Sequence, residues 1–289
     1  MEPAILGIIG GSGVYEMEVL QDRTELHVTT PFGDPSDAIV VGTLALLRVA
    51  FLPRHGRGHR ILPAEVNSRA NIYALKSLGV EYVVSISACG SMREDYAPRD
   101  IVIPDQLFDR TQCRPNTFFG NGLVAHISFD QPYCPVLSEL VYEAVKKTGA
   151  TVHRGATFLV IEGPQFSTKG ESRIYRQWGV DLIGMTALPE AKLAREAEMC
   201  YAAMAHVTDY DVWHETAEPV TLAMLIENLQ ANAAVTKQAV MHLAPLVAKE
   251  SGRNCKCASA LSAAIITQRD RIPTTVKRDL GLLVGKYLK

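Results

Sequence analysis

Asp209 and Asp211 stand two residues apart in Thr208-Asp-Tyr-Asp211, directly after the apolar run Cys200–Val207. On an extended strand that spacing puts both carboxylates on one face. Two acids sharing a partly dry site cannot both ionise freely, so one of them keeps its proton toward neutral pH. The protonated member donates and its ionised neighbour accepts. Such a pair suits a base of the adenine type, whose ring N7 must be protonated for the base to leave a sugar and whose 6-amino group needs an acceptor.

Other groups point to an anion. Gly10-Gly11-Ser12-Gly13 follows the first apolar run and sets flexible backbone and a hydroxyl where N–H groups can wrap an oxyanion; the plain alternative is a tight turn. It is no dinucleotide fingerprint, because Glu16 occupies the third-glycine position, and no P-loop Lys-Ser/Thr pair follows it. Pro53-Arg54-His55-Gly56-Arg57-Gly58-His59-Arg60 gathers five cationic or imidazole groups in eight residues at a strand end. Arginine forks and imidazole donors there suit phosphate better than zinc, for which cysteine or carboxylate ligands are missing nearby; pairing with acids across an interface is the rival reading. Ser87-Ala88-Cys89-Gly90-Ser91 ends another strand with small residues that let a ligand approach the backbone. Cys89 reads as pocket lining, since no histidine adjoins it to activate a thiolate. Glu162-Gly163-Pro164-Gln165-Phe166-Ser167 and Ile183-Gly184-Met185-Thr186 pair a turn with Phe166 and Met185, which could sandwich a flat heterocycle or simply be core.

The elements that must position these groups alternate. Strand-like runs at 5–9, 38–41, 44–52, 82–86, 100–103, 158–161, 181–183 and 200–207 are interleaved with helical patterns from Pro63 to Gly79 and from Pro135 to Gly149, and a long helical stretch runs from Pro219 to about Glu250. This is an α/β pattern. The 289 residues read as one domain, 1–289, with a C-terminal helical segment over about 252–289 that includes a predicted helix at 258–266. Between Asp109 and Pro135 periodicity is lost and Arg114, Phe118, Phe119 and His126 collect in a loop long enough to predict a lid or subunit contact, with a disordered insertion as the alternative.

With 47% apolar and 21% charged residues and a formal charge of −2, the composition is that of a globular protein and argues against broad nucleic-acid or membrane-surface binding. The N-terminal run lacks a basic leader and no stretch has the roughly 20 apolar residues of a spanning helix, so a cytoplasmic location is expected. Scattered cysteines suit reduced thiols. Cys255-Lys-Cys257 reads as two plain thiols or as a strained disulfide or redox pair; by itself that spacing makes a poor zinc site.

Taken together, Gly7–Gly13, Arg54-His-Gly-Arg57, Ser87–Ser91, Glu162-Gly-Pro-Gln-Phe166, Gly184-Met-Thr186 and Thr208–Asp211 occur in an order that resembles the 5′-methylthioadenosine phosphorylases, a branch of the trimeric purine nucleoside phosphorylases. The match spans roughly residues 4 to 230. The resemblance implies a mixed β-sheet core surrounded by helices and a reaction in which inorganic phosphate, a co-substrate, displaces adenine with no metal or organic cofactor. It implies that Ser12, Arg54, His55, Ser87, Ala88 and Thr186 hold phosphate, and that Cys89, Gly90, Phe166, Ile183, Gly184 and Met185 line the nucleoside site. Gly184 departs from the asparagine of some members. Asp209 becomes the acid at N7 and Asp211 the acceptor of the 6-amino group. Leu222, Leu225 and Ile226 would give the 5′ substituent an apolar lining, ordinary helix core being the alternative, and His126 would reach that end from a neighbouring subunit of a homotrimer or dimer of trimers. The stretch Leu280–Leu288 is a candidate to close the 5′ pocket. The rival activities are phosphorolysis of 5′-methylthioinosine, inosine or guanosine on the same fold, a hydrolase using water, and a non-catalytic nucleoside-binding protein.

Overall fold

A computed structural model describes residues 2–10, 19–214, 222–250 and 252–288, with side chains from 232 onward in the long helix. Its centre is β5 (Tyr82–Ser91), which is buried over nearly its whole length. One edge of β5 pairs in parallel with β11 (Cys200–Asp209). The other edge is shared: Tyr82–Ser85 pair in parallel with β1 (Leu6–Gly10), and Gly90–Ser91 pair antiparallel with β10 (Leu182–Gly184). Among the described residues no strand lies beside 86–89 on that edge, which leaves a cleft between β1 and β10.

The rest of the sheet extends from this frame. From one side it runs through β2 (Gln21–Leu26), β3 (Ile39–Leu44) and β4 (Leu47–Pro53) to β1, and on the other from β10 through β9 (Thr157–Ile161) to β7 (Gln106–Arg110). β6 (Ile101–Ile103) pairs β11 and β8 (Val152–Arg154). Both faces are covered, as a largely parallel sheet requires. Along β11 the side chains divide by alternation: Tyr201, Ala203, Ala205 and Val207 enter the core shared with α1 (Ser68–Ser77) and α4 (Ala187–Glu196). Cys200, Ala202 and Met204 enter the core shared with α2 (Pro135–Lys146) and α5 (Leu222–Lys249). Local chemistry agrees with these starts: Asn67 caps α1 through Ala70 N–H, Pro135 opens α2, and Thr168 with Glu171 forms a reciprocal cap on α3 (Lys169–Gln177).

Two sequence expectations change, and one strand was not anticipated. The run 44–52 is not one strand, because Ala45 and Leu46 adopt positive φ and turn β3 back into β4; neither is a glycine or asparagine, so the hairpin carried no sequence signal. β2 is exposed and charged, an edge strand that no apolar alternation betrays. The helix expected at 258–266 is a short 3-10 turn, Cys257–Ser259, after which Leu261 and Ala264 are drawn into the core and Ile265 bridges Ala125. The chain end continues through α6 (Thr274–Asp279) and α7 (Gly281–Val284), with Leu280, Leu283 and Val284 buried in the α1/α4 core. No helix among the described residues is long and apolar enough to cross a membrane.

Candidate active site

The cleft beside β5 collects the small-residue motif first. Ala88 is the one exposed residue in β5, whose neighbours on both sides are buried. Ser87 Oγ lies 2.7 Å from Thr186 Oγ1 and 3.5 Å from Ser85 Oγ, so two motifs separated by a hundred residues of chain contribute hydroxyls to one spot. Arg54 N–H donates to Gly10 O, joining the ends of β4 and β1 beside the same opening. Ser12 lies outside the described residues.

Arg54 is 3% exposed and its donors are largely committed. Nε and Nη2 grip the Glu190 carboxylate at 2.6 and 3.1 Å, Nη2 also donates to Ser85 Oγ at 2.7 Å, and Nη1 donates to Ile86 O at 2.9 Å. Tyr201 OH donates to the same carboxylate. Of the five guanidinium N–H groups, one on Nη1 is left for a ligand. His55 packs next to it with Nδ1 2.9 Å from Ile61 O, which makes Nδ1 the protonated nitrogen and leaves Nε2 an acceptor. Burial, and then the Arg54 charge, push its pKa down to about 4, so the ring is neutral at pH 7.

The acid pair sits across the strand. A bulge between Val207 and Asp209 shifts the register so that Asp209 falls opposite Gly90. A Cβ on Gly90 would lie 3.0 Å from Asp209 Oδ1 and 3.3 Å from Asp211 Cβ, so the absence of a side chain lets the acids close on β5. Asp209 is buried; Thr208 Oγ1 donates to its Oδ2 at 2.7 Å and the Asp211 N–H to its Oδ1 at 2.7 Å. Burial raises its pKa against those two bonds. Burial also raises that of Asp211 against hydrogen bonds from Ser172 and the Val212 N–H, with the Asp209 charge adding to the rise, and Asp211 Oδ2 is buried without a hydrogen-bond partner among the described residues. The same-face argument does not survive: β11 ends at Asp209, and Asp211 stands in a turn at φ 52°. The two carboxyls meet because the chain turns, and both pKa values rise, chiefly through burial.

The remaining residues divide. Ile183 is buried, and Gly184 presses on the Phe158 ring, where a Cβ would come within 2.8 Å; an asparagine there would need that ring to move. Met185 Sδ packs over Gly163, and Phe166 is 59% exposed on the following loop. Cys89 is buried, donates to His206 O, and has its pKa pushed well up by burial, which removes it as a thiolate nucleophile and leaves it lining. His126 is exposed and lines a cavity with Thr117, Phe119 and Glu196 to which Arg54, Met185 and Thr186 do not contribute. The side chains of Leu222, Leu225 and Ile226 lie outside the described residues; their backbone is helical, within α5.

Two residues of the site were not read from the sequence. Glu190 is the counter-ion of Arg54, 136 positions away, and a buried partner at such a distance leaves no local pattern. Arg114 donates from Nη1 to Met185 O and Leu188 O and from Nη2 to Glu162 O, clamping the two loops that carry Phe166 and Met185. Its place in an aperiodic loop rich in aromatics was the only hint.

Residues 5–245 match the phosphorylase superfamily. The chain belongs to that family. It is 54% identical to an S-methyl-5′-thioadenosine phosphorylase of Geobacter sulfurreducens over 98% of this chain and 99% of that one. Among solved structures, a methylthioadenosine phosphorylase from an antarctic soil metagenomic library superposes with a TM-score of 0.94 at 46% identity, covering 98% and 99% of the two chains. A variant of the adenosine/methylthioadenosine phosphorylase of Schistosoma mansoni, solved with methylthioadenosine, superposes at 0.84 with 34% identity over 90% and 96%.

Proposed function

We propose that this member of the superfamily is a pentosyltransferase that phosphorolyses S-methyl-5′-thioadenosine to adenine and 5-methylthioribose 1-phosphate. The observation that carries the reading is the Asp209–Asp211 pair, drawn in against Gly90 with both pKa values raised by burial, beside the stretch of β5 that bears Ser87 and Ala88. The C1′–N9 bond breaks as a phosphate oxygen bonds to C1′, and Asp209 gives its proton to N7 as the base departs. The unpartnered Asp211 Oδ2 accepts from the 6-amino group.

Phosphate is held by Ser12, Ser87, Thr186 and the Ala88 backbone, with the single free Arg54 N–H and the neutral His55. A lone pair on Nε2 suits the O–H of a phosphate monoanion. Arg54 acts mainly by its charge and by tying Ser85 to Glu190. Cys89, Gly90, Phe166, Ile183, Gly184 and Met185 line the nucleoside, and Leu222, Leu225 and Ile226 meet its methylthio end. Phosphate is the co-substrate and the chemistry draws on no organic cofactor or metal. The whole chain, 1–289, works as one unit in the cytoplasm, in a homotrimer or dimer of trimers whose neighbouring subunits lend His126; an exposed His126 in a separate cavity supports that role.

The test is release of the free base, adenine from methylthioadenosine and adenosine and hypoxanthine from inosine, with and without phosphate. Phosphate-dependent release fastest with methylthioadenosine is expected. Release without phosphate would make the chain a hydrolase, and preference for inosine would overturn the roles of the two acids.

A further inference from the structure

At the far end of β11 from the acids, the fold gathers four cysteines from three well-separated stretches of the sequence. Cys134, Cys200, Cys255 and Cys257 place their sulfurs all within 4.8 Å of one another, with Cys200 Sγ and Cys255 Sγ 3.5 Å apart. Cys134, Cys200 and Cys257 are buried and Cys255 is partly so. We propose that these four thiolates form a structural site for a single tetrahedral zinc ion.

The geometry is that of one knot rather than two pairs. With zinc–sulfur bonds of about 2.3 Å, tetrahedral sulfurs stand roughly 3.8 Å apart, so a small contraction of this cluster would satisfy the ion. An all-thiolate set selects a soft or borderline ion over magnesium or calcium. Cys255-Lys-Cys257 is tighter than the usual knuckle spacing, but here it supplies only half the set. Cys134 caps the N-terminus of α2 and Cys200 opens β11. Binding forms four Zn–S bonds, releases four thiol protons to solvent and leaves a complex of charge −2. The positive end of α2 at Cys134 and the Arg195 charge near Cys257 offset that charge.

The surroundings hold the ligands in place. Cys134 N–H donates to Tyr201 O and Cys200 N–H to Glu81 O, while Arg253 pairs with Glu81 and donates to Glu198 O. Downstream of Cys257, the chain returns to bridge Ala125 and to bond Glu198 through Tyr287 OH. The ion would thus pin the segment 252–288 to the sheet and the base of α2. About 30 Å of strand separates it from Asp209, which makes its role structural.

Protein expressed with zinc and purified anaerobically should carry one zinc per chain by elemental analysis. Cobalt loading of the stripped wild-type chain should give the intense visible bands of tetrahedral cobalt thiolate, which needs no variant to fold. Cys257→Ser should lose the bound metal, and stripping the metal from wild type should open 252–288 to limited proteolysis. The proposal is overturned if the anaerobic, zinc-supplied protein holds no metal and its denatured chain shows either four alkylatable thiols in this set or two disulfides by mass.

Discussion

The two ends of β11 make opposite uses of polar atoms. At the Asp209 end the sheet is split, Ala88 is exposed inside an otherwise buried strand, and Asp211 Oδ2 has no hydrogen-bond partner among the described residues. At the Cys200 end everything is closed: α2, the start of the strand and the segment after α5 meet around one cluster of sulfurs. An end built to react keeps an unspent bond and a group whose protonation burial has displaced. An end built to hold packs its reactive atoms against each other. The contrast teaches that reactive residue types do not mark an active site by themselves; openness and unsatisfied donors or acceptors do.

The contrast breaks or sharpens under substitution. The largest effect is expected from Asp209→Asn, which under the proposed mechanism removes the proton given to N7: kcat should fall about 10²–10⁴-fold with KM little changed, measured by steady-state adenine release. Unchanged turnover would mean the open end is not the reacting end. Because the acid must be protonated, wild-type kcat/KM should decline on the alkaline side as the raised Asp209 pKa is passed.

Next in size is Glu190→Ala, which strips the counter-ion from an Arg54 that is almost wholly buried. An uncompensated buried charge of this kind typically costs about 3–5 kcal/mol, read as a lower urea midpoint. A stability within 1 kcal/mol or so of wild type would show that the guanidinium can reach water or anion, and so is freer to bind phosphate than its hydrogen bonds suggest.

Between the two ends lies His206, buried against Thr236, its pKa pushed down to about 4 chiefly by burial. Its folded pKa is below its unfolded value near 6.5, so the unfolded chain binds the extra proton first and stability falls as pH drops from 6.5 toward 4. The loss attributable to His206 is on the order of 3 kcal/mol, and His55 adds a term of the same sign. Denaturant titrations of His206→Gln across that interval should show a shallower acid slope. The smallest effect is expected from Asp211→Ala: loss of one acceptor should cut the preference for 6-amino over 6-oxo nucleosides about 5-fold, in line with roughly 1 kcal/mol for such a bond.

Much of this was readable before the fold was known, for definite reasons. The runs that became β1, β5, β9 and β11 are strands buried on both faces, and an unbroken apolar run ending in glycine or small polar residues is the imprint of that burial. The motifs at their ends followed directly. What was unreadable depends on contacts. Glu190 was silent because its partner is 136 residues away, and the 3-10 turn at 257–259 replaced a helix because core contacts outbid a favourable composition. The turn at Asp211 changed how the acid pair meets without changing which residues form it.

By itself the sequence determined the alternation of buried strands and helices and the residue types at each strand end, because these are local consequences of periodicity and composition, while the order of its motifs carried the resemblance to a family. Only the tertiary structure decided that Arg54 spends nearly all its donors inside the protein, that both acids hold their protons more tightly, and that four cysteines spread over 124 positions share one pocket. Burial, charge and coordination depend on which distant groups become neighbours, and a chain acquires neighbours only by folding.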